Sequence, residues 1–308
     1  MTFFAVPEAS PPPPRRRRPV GWIVTVILLS LALLAAIGGC AWVYLQWTQA
    51  QAVIRDNERE LREQRDLIDK KESFGAAVDA LLGEAAAYRE VPFPSLVPWD
   101  EYDSLTWQAW SRRWDADGLD QSIAAVDRAR QGLIDARAAA AAEAGANVTG
   151  SVYEATLDQL GSGFVGWRLG DADALCEHDV LACVTSDDPR IVHVDAPDDA
   201  APYMTDEIRT GIAYHEFAHV LQFSNPEATA GPLEAFGGDA ETMADCFALT
   251  FLDGWTLDHR VWVNRSEYWD VNVGYGYTCD DAQKQVIRDW RASLGVTPQR
   301  IGPGAAPG

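Results

Sequence analysis

The hydrophobic and polar positions change period several times along the chain. Residues 20–47 contain no charged side chain and are dominated by Val, Ile, Leu and Ala. A helix of that length crosses the ~30 Å hydrocarbon core of a bilayer. Trp22 near one end and Trp42, Tyr44 and Trp47 at the other suit its two interfaces. Residues 48–90 are charged, with no proline before Pro92. Ile54, Leu61, Ile68 and Leu82 recur at multiples of seven, with Gly75 breaking the register. This predicts a helical stalk of modest coiled-coil character. The facing positions Asn57, Glu58, Gln64 and Arg65 are polar, so one amphipathic helix packed on the following domain is the competing reading. Pro92, Pro94 and Pro98 end the helix. Residues 99–145 read as further helix, with Trp99, Trp107, Trp110 and Trp114 near its start and an alanine-rich run behind them. The tryptophans are expected in core or at a packing interface, with sugar or cell-wall polymer as the alternative contact. Gly145, Ala146 and Asn147 close the helical region and place a domain boundary there.

From residue 147 the pattern turns to short apolar runs between turn clusters. The clearest strand is residues 190–195, preceded by Asp187, Asp188 and Pro189. A small sheet is expected here, ahead of a helix over residues 205–223. Thr205 is placed to cap that helix, and Asp206 and Glu207 favour its positive end. Pro226 disfavours helical geometry at Asn225 and stops it. Ile212, Val220 and Phe223 are available for core packing. A second apolar helix is expected over residues 241–249, entered through Gly237, Gly238 and Asp239. Aromatic and polar residues then alternate through Tyr268, Trp269, Tyr275 and Tyr277. A helix over residues 281–294 and a disordered Gly/Pro/Ala tail over residues 296–308 finish the chain. The fold class this describes is α+β.

The candidate chemistry lies on the first of those two apolar helices. His215-Glu216-Phe217-Ala218-His219 is an H-E-x-x-H motif. Residues four apart on a helix project from one face, so His215 and His219 can reach a single Zn²⁺. Glu216, beside the first ligand, can deprotonate a zinc-bound water. The motif sits in an apolar helix, a setting that two solvated surface histidines do not need. Zinc requires a third protein ligand. Gln222 and Asn225 occupy the places where a metzincin carries Gly and His, which excludes that class. Farther on, Glu241 and Asp245 share a helix face.

Here the chain resembles the gluzincin metallopeptidases, which follow H-E-x-x-H with E-x-x-x-D. Its E-x-x-A-D-C form is similar to that of bacterial neutral zinc metallopeptidases. The resemblance covers residues 205–252. It implies a zincin-like catalytic domain with Glu241 as third ligand and Asp245 fixing the tautomer of a ligating histidine. Glu234 and Asp239 are the substitute ligands. It also implies a sheet edge that holds an extended substrate, for which the strand around residues 191–194 is the candidate. His193 alternates with Ile191 on that strand and either faces the cleft or serves as an ordinary structural histidine. A donor for the oxyanion is required as well, and His259, Tyr275 and Tyr277 remain open candidates.

The rest of the sequence places this chemistry. A proline run and four arginines at residues 15–18 precede the apolar span. The positive-inside rule then predicts a cytoplasmic tail over residues 1–19, a membrane helix over 20–47, and everything after residue 48 outside. Residues 37–40 resemble a bacterial lipobox ending in Cys40, but the apolar run continues past it, which favours an uncleaved anchor. Cys176, Cys183, Cys246 and Cys279 are an even number in a disulfide-permitting compartment. Of three possible pairings, 176–183 and 246–279 are favoured. The competing use is a structural zinc site with His178. The net charge is −21, and the N-terminal tail carries +3, leaving −24 on the remainder. So acidic an exterior argues against nucleic acid and anionic lipid surfaces as partners. The expectation is therefore a helical stalk and helical region over residues 48–145 and a zinc metallopeptidase domain over 146–295, acting on peptide or protein. A non-catalytic envelope protein with a structural metal is the alternative.

Overall fold

The computed structural model describes residues 20–176, 179–276 and 279–304. The Pro/Arg tail, His178, Tyr277 and residues 305–308 lie outside the described residues. The chain divides into two compact units, Met1–Asp66 and Leu67–Gly308.

In the first unit the described residues form one helix, the beginning of α1 (Val20–Ala86). Its apolar side chains, among them Ile27, Leu34, Ile37 and Leu45, are exposed along the span. It is long and apolar enough to cross a membrane. The helix passes Cys40 without a break, and Cys40 is an exposed free thiol. Ile54 and Leu61 of the expected heptad seam are also exposed.

The second unit begins with the last turns of α1, whose packing face is Ala77, Leu81 and Ala85. These meet α2 (Trp99–Ser111) and α3 (Ala116–Ala144) around Val126 and Leu133. The Tyr88 hydroxyl donates to Leu133 O, and Arg137 pairs with Glu84 at 3.0 Å. The four tryptophans separate: Trp99 is core, whereas Trp107, Trp110 and Trp114 are exposed. The first part of the expected tail packs instead, as far as Gly302. Val296 and Ile301 join the same helical core, and Gly302 N donates to Asp103 Oδ1 at 2.7 Å. Apolar residues at 296 and 301 find a wall to bury against, which composition alone does not show.

A second core surrounds α6 (Asp206–Ser224). This helix carries apolar residues on most of its circumference, so it is buried rather than amphipathic. Ile208, Ile212, Phe217, Val220 and Leu221 are all in the core. Burial of each contributes about 1.5–3 kcal/mol relative to exposure. Around it lie α4 (Val152–Gly161), α8 (Ala240–Phe251) and a three-stranded sheet. The short helices α5 (Ala196–Asp199) and α7 (Pro226–Leu233) connect these elements, and α9 (Asp281–Ser293) closes the far side of α8 with Ile287 and Trp290. The Asp280–Gln283 capping box fixes the start of α9.

The sheet contains β1 (Gly166–Gly170), β2 (Ala182–Val184) and β3 (Ile191–Asp195) in the order β1-β3-β2. β1 runs parallel to β3 and β2 antiparallel to it. The strand expected as substrate edge, β3, is thus the central strand, with its backbone groups paired on both sides. Val192 and Val194 point into the core with α6, which leaves Ile191 and His193 on the opposite face. Burial and Arg168 lower the pKa of His193, keeping it neutral there. β2, a run too short to stand out in the sequence, is an edge strand of this sheet. The aromatic-polar alternation resolves into a hairpin of β4 (Asp258–Trp262) and β5 (Tyr268–Asn272).

Candidate metal centre

α6 and α8 pack against each other, and the site is built between them. Thr205 caps α6 by accepting from Ile208 N at 3.2 Å, as its position predicts. Upstream of α8 the chain turns through Gly237 and Gly238 at φ of 70° and 81°, a region open to glycine. Asp239 then caps α8, accepting from Glu241 N at 2.9 Å and Thr242 N at 3.2 Å. It is therefore a cap and not a substitute ligand. Glu234 is exposed outside the cluster.

His215 Nε2, His219 Nε2 and Glu241 Oε2 form a triangle with all three sides at 3.1 Å. Tetrahedral ligands on bonds of ~2.0–2.1 Å lie roughly 3.3 Å apart, so the three atoms fit one divalent ion. Both imidazoles are fixed from behind. His215 Nδ1 donates to Asp245 Oδ1 at 2.9 Å, and His219 Nδ1 donates to Gln222 Oε1 at 2.8 Å. Gln222 Nε2 in turn donates to Ala240 O at 3.1 Å, which orients its amide. With both Nδ1 atoms protonated, the Nε2 lone pairs face each other and the Glu241 carboxylate. The arrangement calls for positive charge at its centre. Burial alone would depress His215, but hydrogen bonds with Asp245 and Glu241 raise it to about 10. Burial would raise Glu241, but both histidines hold it well below the usual carboxylate range. Without a cation, a proton takes its place, and the two compete for the same lone pair.

Asp245 is 1% exposed and divides its carboxylate between two donors. Oδ1 takes the His215 N–H, and Oδ2 accepts from Tyr275 N at 2.8 Å. Gly274 allows that approach, because a Cβ there would lie 2.9 Å from Asp245 Oδ2. Tyr275 stacks on His215 with ring centroids 6.1 Å apart, and its hydroxyl feels the Glu241 charge. Burial and the Glu241 charge push the Tyr275 hydroxyl up to about 12, so it remains a donor at neutral pH. Of the three oxyanion candidates, Tyr275 alone among the described residues reaches the cluster. His259 packs on Trp255 at 4.4 Å, away from it.

Glu216 stands next to the triangle without belonging to it. It is 4% exposed, and its Oε2 has no hydrogen-bond partner. Burial pushes its carboxyl above the usual range, against the attraction of His215 and His219. Two adjoining cavities of about 310 and 220 Å³ meet at His215, Glu216 and Tyr275. Val180 and Ala182 at the β2 edge line both, and Asp179 and Asn272 face one while Val184 and Phe223 face the other. Phe223, expected in the core, is 44% exposed on this wall, because it falls on the cleft side of α6.

Disulfides flank the cleft at two points. Cys176–Cys183 closes the loop into β2, and Cys246–Cys279 ties the ligand helix to the segment after Tyr275. Both are the pairings favoured from the sequence. The residue missed in the sequence is Gln222. Its position three after His219 on the same helix was the available signal. Comparison with protein families, curated proteins and solved structures gives no match.

Proposed function

We propose that the chain is a membrane-anchored zinc peptidase whose catalytic unit faces the extracytoplasmic side, with a zincin-like arrangement around α6 and α8. The observation that carries this reading is a three-ligand triangle with an unpartnered carboxylate and a cavity beside it. Structural zinc sites are closed by four protein ligands, whereas catalytic ones keep a position open. That difference favours catalysis over the structural-metal alternative. It gives a use to Glu216, which a scaffold site does not need.

His215, His219 and Glu241 would hold the ion. Zinc bound there acts as a Lewis acid that acidifies water and polarises a peptide carbonyl. Glu216 takes the proton of the attacking water and delivers it to the leaving amine. Tyr275 donates to the oxygen that becomes negative. The free edge of β2 pairs with the substrate backbone in extended form. Asp245 and Gln222 keep the imidazoles in the ligating tautomer.

The direct test is hydrolysis of a quenched-fluorescence peptide library by the purified full chain. A chelator should abolish cleavage, and stoichiometric Zn²⁺ should restore it. Metal-loaded protein that cleaves nothing, or cleavage that survives complete metal removal, overturns the assignment.

Orientation rests on the arginine block before α1 and on the two disulfides, which require an oxidising compartment. Protease added to intact cells should degrade the region beyond residue 48 and spare the N-terminal tail. A protected catalytic unit reverses the topology.

A further inference from the structure

A cavity larger than either of the two at Glu216 lies away from the metal centre. It measures about 550 Å³ and lies between the last turns of α1, the end of α2 and the C-terminal segment. Phe74, Gly75 and Val78, Trp110 and Trp114, and Ile301 form its walls. None of these residues lines the two cavities at the metal centre. The volume and apolar lining are those of a pocket for one small molecule rather than a protein segment.

Two features indicate what fills it. The first is Gly75. It lies inside a long helix, where glycine is a poor choice. No tight packing requires it, since a Cβ there would meet nothing within 4 Å. Its missing side chain is part of the cavity's space.

The second is charge. In a chain of net charge −21, this wall carries Lys71 and Arg113 against Asp79. Neither cation makes an ion pair with a carboxylate among the described residues. Lys71 Nζ stands 4.0 Å from the Trp114 ring centre, and Arg113 Cζ 4.4 Å from that of Trp110. Those contacts hold the cations beside the apolar pocket and leave their outer N–H groups for an anion. Each cation also covers one face of the indole it contacts.

We infer that this cavity binds a single-chain amphiphile, its apolar chain against Phe74, Val78 and Ile301 and its anionic head at Lys71 and Arg113. The head is a carboxylate or a phosphate. This inference is independent of peptidase activity.

The test is photolabelling of the full chain in phosphatidylcholine nanodiscs with a diazirine-bearing dodecanoate, mapped by peptide mass spectrometry. Label is expected within residues 71–79 and 106–114. The alcohol of the same chain should label at least tenfold less. Gly75→Leu fills the pocket while improving the helix, and should cut labelling at least tenfold without lowering the melting temperature. The double variant Lys71→Gln, Arg113→Gln should lose labelling by the acid and not by the alcohol. Competition by dodecanoate alone identifies a carboxylate head, and competition by lysophosphatidylglycerol alone a phosphate head. Competition by neither overturns the proposal. So does equal labelling by acid and alcohol, or labelling indifferent to both variants.

Discussion

Glu216→Gln is expected to lower peptide hydrolysis by at least ~10²-fold, the lower range for a lost general base, while the protein keeps about one metal per chain. The two effects separate because Glu216 is outside the ligand triangle. Gln has nearly the same shape, so α6 packs as before and the 4% exposure of this position is undisturbed. What disappears is the proton acceptor. In the native protein burial raises the Glu216 carboxyl, which makes its carboxylate a better base than one in water, and no protein donor quenches its Oε2. Metal content and cleavage should be measured on the same preparations. Full cleavage by metal-loaded Glu216→Gln protein would sink the mechanism while leaving the metal site standing.

The complementary expectation concerns the ligands. His219→Ala and Glu241→Ala should each lose the metal and with it the activity. Each removes one corner of a triangle whose sides are 3.1 Å, and two remaining ligands do not hold zinc at catalytic strength. Stability should follow. An ion present at a hundredfold over its Kd adds about 2.7 kcal/mol to the folded state, and the variants forfeit that increment in zinc-containing buffer. Asp245→Asn differs in kind, since all three ligands remain. Its amide accepts from either His215 Nδ1 or Tyr275 N less strongly than the carboxylate that now serves both. A fall of roughly 10–100-fold in metal affinity or activity is expected. Zinc affinity measured by competition with a chromogenic chelator distinguishes the cases. An unchanged affinity in Glu241→Ala would remove it as third ligand and with it the resemblance to gluzincins.

Local chemistry was legible in the sequence wherever it depended on helical spacing. His215 and His219, four apart on α6, and Glu241 and Asp245, four apart on α8, needed only the period of a helix to be placed on common faces. The cap Thr205, the uncharged span of α1 and the short-range disulfide at Cys176 and Cys183 are of the same local kind. Tertiary structure alone decided what depended on pairing between distant segments. Strand order is one instance: β3 has the stronger strand pattern, yet its central position gives the cleft edge to the three-residue β2. Tyr275 is another, brought to His215 by an Asp245 hydrogen bond across a separation of thirty residues that no periodicity encodes. The apolar residues 296 and 301 are a third, since a short run reads as tail until a helical wall is present to bury it. A helix repeats its geometry every few residues and so writes it into the sequence. Which strand ends at an edge, and which loop closes over a metal, depends on the packing free energy of the whole unit, and no single segment carries that information.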